Sequence, residues 1–316
     1  MKQPKNHNGT NLSRRSFLTA LACLVLGPGG SGQAAASSGN ERDPFLGLAL
    51  GSGGAAGLAH IPMLEVMDEL GIKPCVIAGC SIGSIIGALY SSGLSGREIR
   101  HIVQEFSGSD MEVLSALVRG DSGLKIMDLL RLDLDAGGLL DAHGFLKFLK
   151  QKIRFSTFEE LPIPLKVVAA DYWKREQVVL ETGDIIPAVS ASMAVPGLFA
   201  PVSLGERLLV DGGTVNPLPY DLLEGECRHI AAIDVSGGKP DKQTDLPDLT
   251  DALFNAFEIM QQAIVQEKMK RLEPDIYIRP EIRDVRLLHF HKSREVFEQA
   301  APAVEEFKKE LIRLIH

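Results

Sequence analysis

Aromatic residues make up only 6% of this chain, and it holds a single tryptophan and four cysteines in 316 residues. Four cysteines over such a length do not make the dense disulfide framework of a small secreted scaffold, so the fold must rest on an apolar core. Basic charge is also short. With 33 Lys and Arg against 41 Asp and Glu the net charge is −8, which leaves no basic footprint for nucleic acid. Binding to an anionic membrane would then depend on apolar contact or on a local patch. The apolar run at 17–26 is too short to serve as a stable bilayer-spanning anchor. There is no Gly-Lys-Ser/Thr phosphate loop and no internal repeat. What remains is the size and ordinary apolar fraction of a large α/β domain, or two small ones.

The first segment reads as an address rather than as part of the fold. Ser13-Arg14-Arg15-Ser16-Phe17-Leu18 pairs a twin arginine with a brief apolar stretch, followed by Gly, Pro and Ser and then Ala34-Ala35-Ala36. Basic start, short apolar middle and small residues before a cleavage point describe a twin-arginine-type export signal over 1–36. Residues 37–44, within a Gly/Ala/Ser-rich stretch that begins near 27, read as a linker, and 45–316 as one folded domain. The expected location is periplasmic or extracellular. Cleavage would leave Cys75, Cys80 and Cys227. Cys75 and Cys80 lie on and just after one expected strand, so free, buried thiols are expected there.

Along the rest of the chain, strands and helices alternate. Strands are expected at 45–50, 75–78, 165–170, 177–180, 208–210, 229–235 and 275–279. Helices are expected at 58–70, 82–91, 185–194, 249–270 and 293–314, with a helix-rich cap over 95–160 that includes Asp135-Ala136-Gly137-Gly138. Such alternation implies a three-layer α/β/α sandwich around a central, mostly parallel sheet. The 249–270 helix, with Leu253, Phe254, Phe257, Ile259, Met260 and Ile264, reads as core packing.

Two glycine-bearing turns carry the chemistry. Gly51-Ser52-Gly53-Gly54-Ala55-Ala56-Gly57 follows the first strand, and Gly79-Cys80-Ser81-Ile82-Gly83 follows the second, with about thirty residues between them. A Gly-x-Ser-x-Gly turn between strand and helix projects its serine from a cramped backbone. The neighbouring loop can aim free backbone N–H groups at the same point, as an oxyanion hole requires. Ser81 still needs a base, since a serine hydroxyl is a weak nucleophile until a neighbour takes its proton. His289 and His291 fit the order of a histidine-dependent α/β-hydrolase, but in that fold the elbow comes later in the chain. Asp171 and Asp211 each end an expected strand, where a carboxylate at the end of a parallel strand can face the serine's crevice. Asp211 is preferred because Gly212 and Gly213 after it permit a tight turn. His60 reads as a structural histidine, the His289/His291 pair as a poor metal site, and Gly51-x-Gly53-x-x-Ala56 as only a loose dinucleotide fingerprint.

Over residues 45–280 these motifs resemble the bacterial patatin-like phospholipases. That family joins a Gly-rich loop, an early Gly-x-Ser-x-Gly elbow and an Asp-Gly-Gly or Asp-Gly-Ala strand end. Here they read as 48–61, Gly79 to Gly83, and Asp211-Gly212-Gly213, with Ala191-Ser192-Met193-Ala194-Val195-Pro196-Gly197-Leu198-Phe199 resembling the segment ahead of the aspartate. The resemblance implies a serine lipid acyl hydrolase of the phospholipase A, lysophospholipase or esterase type. It implies a Ser81–Asp211 dyad and an oxyanion hole from Ser52, Gly53, Gly54 and Ala55. No cofactor or metal is implied; the substrate is a lipid or other acyl ester, with peripheral membrane contact as the accompanying partner. One departure stands out: Ala56 occupies the place where the family usually carries Arg or Lys.

Overall fold

The computed structural model describes residues 45–107, 142–236 and 249–316. The expected export signal (1–36), the expected linker (37–44) and the 135–138 stretch lie outside the described residues. Among the described residues, eight strands form one sheet: β1 (Leu46–Leu50), β2 (Val76–Cys80), β3 (Leu165–Asp171), β4 (Glu176–Leu180), β5 (Val202–Leu204), β6 (Arg207–Asp211), β7 (His229–Ile233) and β8 (Ile276–Ile278). Their order is β5-β6-β3-β2-β1-β7-β8, with β4 also paired to β3. The five strands β3-β2-β1-β7-β8 run parallel, whereas β4, β5 and β6 add antiparallel pairings on one side.

Strand alternation sorts the core into two layers. Leu46, Leu48 and Leu50 of β1 face one way, into the main apolar cluster with Ile77, Val167, Ile233 and Ile276. That face is covered by α1 (His60–Glu69), α2 (Ile82–Ser91), α3 (Gly96–Ser107), α4 (His143–Lys152), α5 (Ile185–Ser192) and α7 (Ser293–Ile315). The opposite face is lined by small residues, Ala49, Ala78 and Ala232, on which Leu218, Tyr220, Leu223 and Val265 of α6 (Leu249–Met269) pack. The result is the expected α/β/α sandwich. α2 carries buried residues at every position, because it lies between the sheet and the outer helices.

Two expectations need correction. Cys75 is not a free thiol: it is disulfide-bonded to Cys227, 152 residues away, and only Cys80 is free among the described cysteines. The reason is sheet order. Cys75 precedes β2 and Cys227 precedes β7, and β1 lies between those strands, so the bridge passes over β1 at its one side-chain-free residue. A Cβ on Gly47 would stand 2.9 Å from Cys227 Sγ. The α6 helix is also less buried than its composition suggests. Gln261 and Val265 face inward, while Leu253, Ile259 and Met260 are exposed. Among the described residues, no helix is long and apolar enough to cross a membrane.

Candidate active site

The elbow forms where β2 runs into α2. Ser81 adopts φ 54° and ψ −120°, a conformation that non-glycine residues rarely hold without support from their surroundings. Support comes from three directions. Ser84 returns both its N–H and its hydroxyl to Ser81 O, at 2.9 and 2.7 Å. The Ser81 N–H donates to Ser192 Oγ at 2.9 Å. Gly83 lies so close to β1 that a Cβ would overlap Leu50 O, and a Cβ on Gly79 would press on Gly83 itself. Cys80 is fully buried and its thiol is pushed well up by that burial, so it is inert beside the serine.

Asp211 reaches the same level by an unexpected route. It ends β6, which runs antiparallel to β3 rather than parallel, and it pairs with Ala169. Cys80 pairs with Val168 on the other side of β3, so Ser81 and Asp211 flank β3 at one height. Gly212 lies against the β3 backbone, where a Cβ would overlap Val168 O. Asp211 is fully buried. Its Oδ1 accepts the Gly213 N–H at 2.6 Å, and its Oδ2 is buried without a hydrogen bond. Burial pushes its pKa up to about 7, while the Ser81 side chain and the Gly213 N–H act to lower it. A carboxyl group balanced there, with one oxygen uncommitted and a serine beside it, is suited to exchanging a proton near neutral pH.

The Gly-rich loop narrows from four candidate donors to two. The Ser52 N–H is already given to Pro217 O at 2.7 Å, and the Ala55 N–H to Leu287 O at 2.8 Å, so neither can hold an oxyanion. Gly53 and Gly54, between them, keep N–H groups with no such acceptor. Gly54 has φ +54°, and a Cβ there would strike Leu287; a Cβ on Gly53 would overlap Val235 O. His60 anchors the loop from below, with Nε2 2.9 Å from Gly51 O. Burial lowers the His60 pKa to about 4, so the ring is neutral and donates that bond. Ala56 is buried in the main core and makes an apolar contact there.

Beside Ser81 lies a cavity of about 130 Å³ whose lining is apolar apart from the serine itself. Ile82, Ile85, Ile86 and Leu89 give it one long wall along α2. Leu198, Phe199, Leu287 and Phe290 close it from the loops. Two other candidates are committed elsewhere. Asp171 spends its carboxylate on the Trp173 and Lys174 N–H groups of the β3–β4 turn, at 3.1 and 2.9 Å. His289 Nδ1 accepts the Arg286 N–H at 3.2 Å. Among the described residues no group of three His, Cys, Asp or Glu side chains is arranged to hold a metal ion.

Ser192 and Gln261 were not singled out from the sequence as part of this site. Ser192 sits in the quoted 191–199 segment, whose resemblance was the one available signal. Gln261 has no sequence signal beyond being a polar residue on the inward flank of α6.

A family model described as patatin-like phospholipase matches residues 48–223. An uncharacterized NTE family protein of Mycobacterium tuberculosis is 30% identical over 217 residues, 68% of this chain and 56% of its own length. A lysophospholipase NTE1 of Cryptococcus neoformans is 31% identical over 216 residues, 67% of this chain but 13% of that protein. The chain thus spans about half the length, or less, of the curated relatives it matches. Among solved structures, VipD from Legionella pneumophila has a TM-score of 0.45 at 14% identity, covering 84% of this chain and 67% of that one. The type III effector ExoU has a TM-score of 0.42 at 16% identity, covering 84% and 53%. The matched stretch runs from β1 past the end of β6, so it contains the glycine loop, the elbow and Asp211 together, and on it the chain belongs to the patatin-like phospholipase family.

Proposed function

We propose that this chain is a serine lipid acyl hydrolase working through a Ser81–Asp211 dyad. The observation that carries the reading is the buried Asp211 carboxyl, raised to about 7 and acted on by the Ser81 side chain. Ser81 Oγ attacks the ester carbonyl as its proton passes to Asp211. The N–H groups of Gly53 and Gly54 hold the oxyanion, and the proton on Asp211 goes to the departing alkoxide. Asp211 then takes a proton from the water that attacks the acyl-enzyme, and returns it to Ser81 Oγ as the fatty acid is released, which restores both groups.

The cavity supports an acyl substrate. Its wall from Ile82 to Leu89 extends along α2 for about 10 Å at the helical rise per residue, room for a hydrocarbon segment of medium length. The lining carries no charged side chain, so a polar head group would remain outside it. The chain's action outside the cytoplasm is part of the same reading. The twin-arginine segment motivates it, and the Cys75–Cys227 disulfide supports it, since such bridges persist in oxidising compartments.

A fluorophosphonate probe tests the reading on the purified protein. Labelling of wild type that vanishes in Ser81→Ala and falls sharply in Asp211→Asn is the expected result. A well-folded wild type that takes no label and cleaves no lipid ester would leave a lipid-binding module in place of the enzyme.

A further inference from the structure

On the other face of the sheet from the cavity, one polar side chain touches both halves of the site. Gln261 projects from the inward flank of α6 and is almost wholly buried. Its Nε2 donates to Ser52 Oγ at 3.0 Å, joining segments 209 residues apart. The same nitrogen lies against the aspartate turn. A Cβ on Gly213 would overlap Gln261 Nε2 and would stand 2.9 Å from both Asp211 Oδ1 and Ser52 Oγ. Three polar atoms, from the glycine loop, the aspartate strand end and α6, therefore ring one point that only a glycine leaves open. An amide there can give an N–H to the Ser52 hydroxyl, which only accepts at that contact.

Two turns further along α6, Lys268 repeats the attachment. Its Nζ donates to Leu218 O at 2.8 Å and Asp221 Oδ1 at 2.5 Å, and also binds Asn216 Oδ1. The neighbouring Pro217 O takes the Ser52 N–H. So α6 is bonded both to the loop that would hold the oxyanion and to the segment that follows Asp211.

We infer that Gln261 is a positioning residue, one that sets the glycine loop and the Asp211 turn at their working separation. The inference rests on the hydrolase reading above. Gln261 touches no reacting atom; it acts through Ser52 and Gly213. The titratable groups that neighbour Asp211 are Cys80 on β2, with Lys268 on α6 beyond it, and Asp171 near the end of β3, which is committed to its own turn.

The experiment compares wild type with Gln261→Met, which keeps the side chain's length and removes both N–H groups, and with Val265→Ala, one turn along the same inner flank. Fluorophosphonate labelling and hydrolysis of a p-nitrophenyl ester are read across pH 5 to 9. Displacing catalytic groups by a fraction of an ångström to one ångström costs on the order of 10- to 100-fold in kcat. Gln261→Met is expected to lose that much in kcat with KM nearly unchanged, and the acid limb set by Asp211 should stay in place. Val265→Ala should lower Tm and leave both kcat and the limb in place. If Gln261→Met does not fold, Gln261→Asn keeps the amide but withdraws it by one methylene, and a partial loss of kcat is expected. Should a folded Gln261 variant match Val265→Ala in kcat, the positioning role is overturned while the hydrolase stands. A folded wild type without Ser81-dependent labelling overturns both.

Discussion

Ser192 Oγ accepts the backbone N–H of Ser81 at 2.9 Å, a bond between residues 111 positions apart that holds the nucleophile's strained peptide from the end of α5. Ser192→Ala would leave that buried N–H without a partner at the one place where the backbone already sits at φ 54°. An orphaned buried donor costs about 1–3 kcal/mol. The variant should show a lower Tm and slower fluorophosphonate labelling together. Ser192→Thr keeps the acceptor, and should retain more labelling than the alanine. Equal labelling rates for Ser192→Ala and wild type would remove Ser192 from the site.

The Cys75–Cys227 bridge closes a loop of 152 residues and ties the entry ends of β2 and β7 across β1. Cross-linking so long a loop is worth about 2–5 kcal/mol, mainly by restricting the unfolded chain. The double variant Cys75→Ser, Cys227→Ser should therefore melt well below wild type. Dithiothreitol should lower the Tm of wild type toward that value and leave the double variant unmoved. Gly47→Ala should be destabilising for a related reason, since its Cβ would meet Cys227 Sγ at 2.9 Å.

How much of this was legible in the sequence depended on distance along the chain. The unit from β1 to α2 could be read because its signals are local: an apolar run, a glycine loop, an amphipathic stretch, then the elbow. Asp211 was legible as a strand end, but not its direction. Nothing between 171 and 207 announces that β6 turns back antiparallel to β3, and the height of Asp211 beside Ser81 depends on that register. The disulfide was illegible for the same reason, because Cys75 and Cys227 become neighbours only through the order β2-β1-β7. The oxyanion donors could be listed from the loop but not chosen. Pro217 O and Leu287 O, which consume the Ser52 and Ala55 N–H groups, come from distant segments.

The acyl cavity makes a chain-length prediction. Leu89 lines it two turns of α2 away from Ile82, the residue after the nucleophile. Leu89→Trp would fill the far end while leaving the space beside Ser81 unchanged. Hydrolysis of a C4 p-nitrophenyl ester should remain near wild type, and that of a C16 ester should fall by about tenfold or more, a loss in keeping with the few kcal/mol that apolar contacts in a pocket supply. An overfilled core costs about 1–3 kcal/mol, so a modest drop in Tm is expected as well. If both esters slow in proportion, the acyl chain does not run along α2.

Asp211 sets activity and stability against each other. In the unfolded chain its carboxyl ionises near 3.9, whereas in the fold burial holds the proton up to about 7. Between those values the folded state binds more protons than the unfolded state, so this group's contribution to stability falls as pH rises from about 4 to about 7. Activity moves the other way, because only the ionised carboxylate can accept the Ser81 proton; the rate should climb with an acid limb near 7. Asp211→Asn removes the charge and keeps an oxygen for the Gly213 N–H, while its amide can meet the Ser81 hydroxyl where Oδ2 has no hydrogen bond. The variant should therefore be nearly inactive and yet melt several degrees above wild type at pH 8. The gap should shrink steadily as the pH is lowered and close near pH 4, where both side chains are neutral in the fold. Thermal melts of the two proteins across that range decide it. An Asp211→Asn protein less stable than wild type at pH 8 would mean that the ionised carboxylate is satisfied in the fold, and that the raised pKa proposed for the base is wrong.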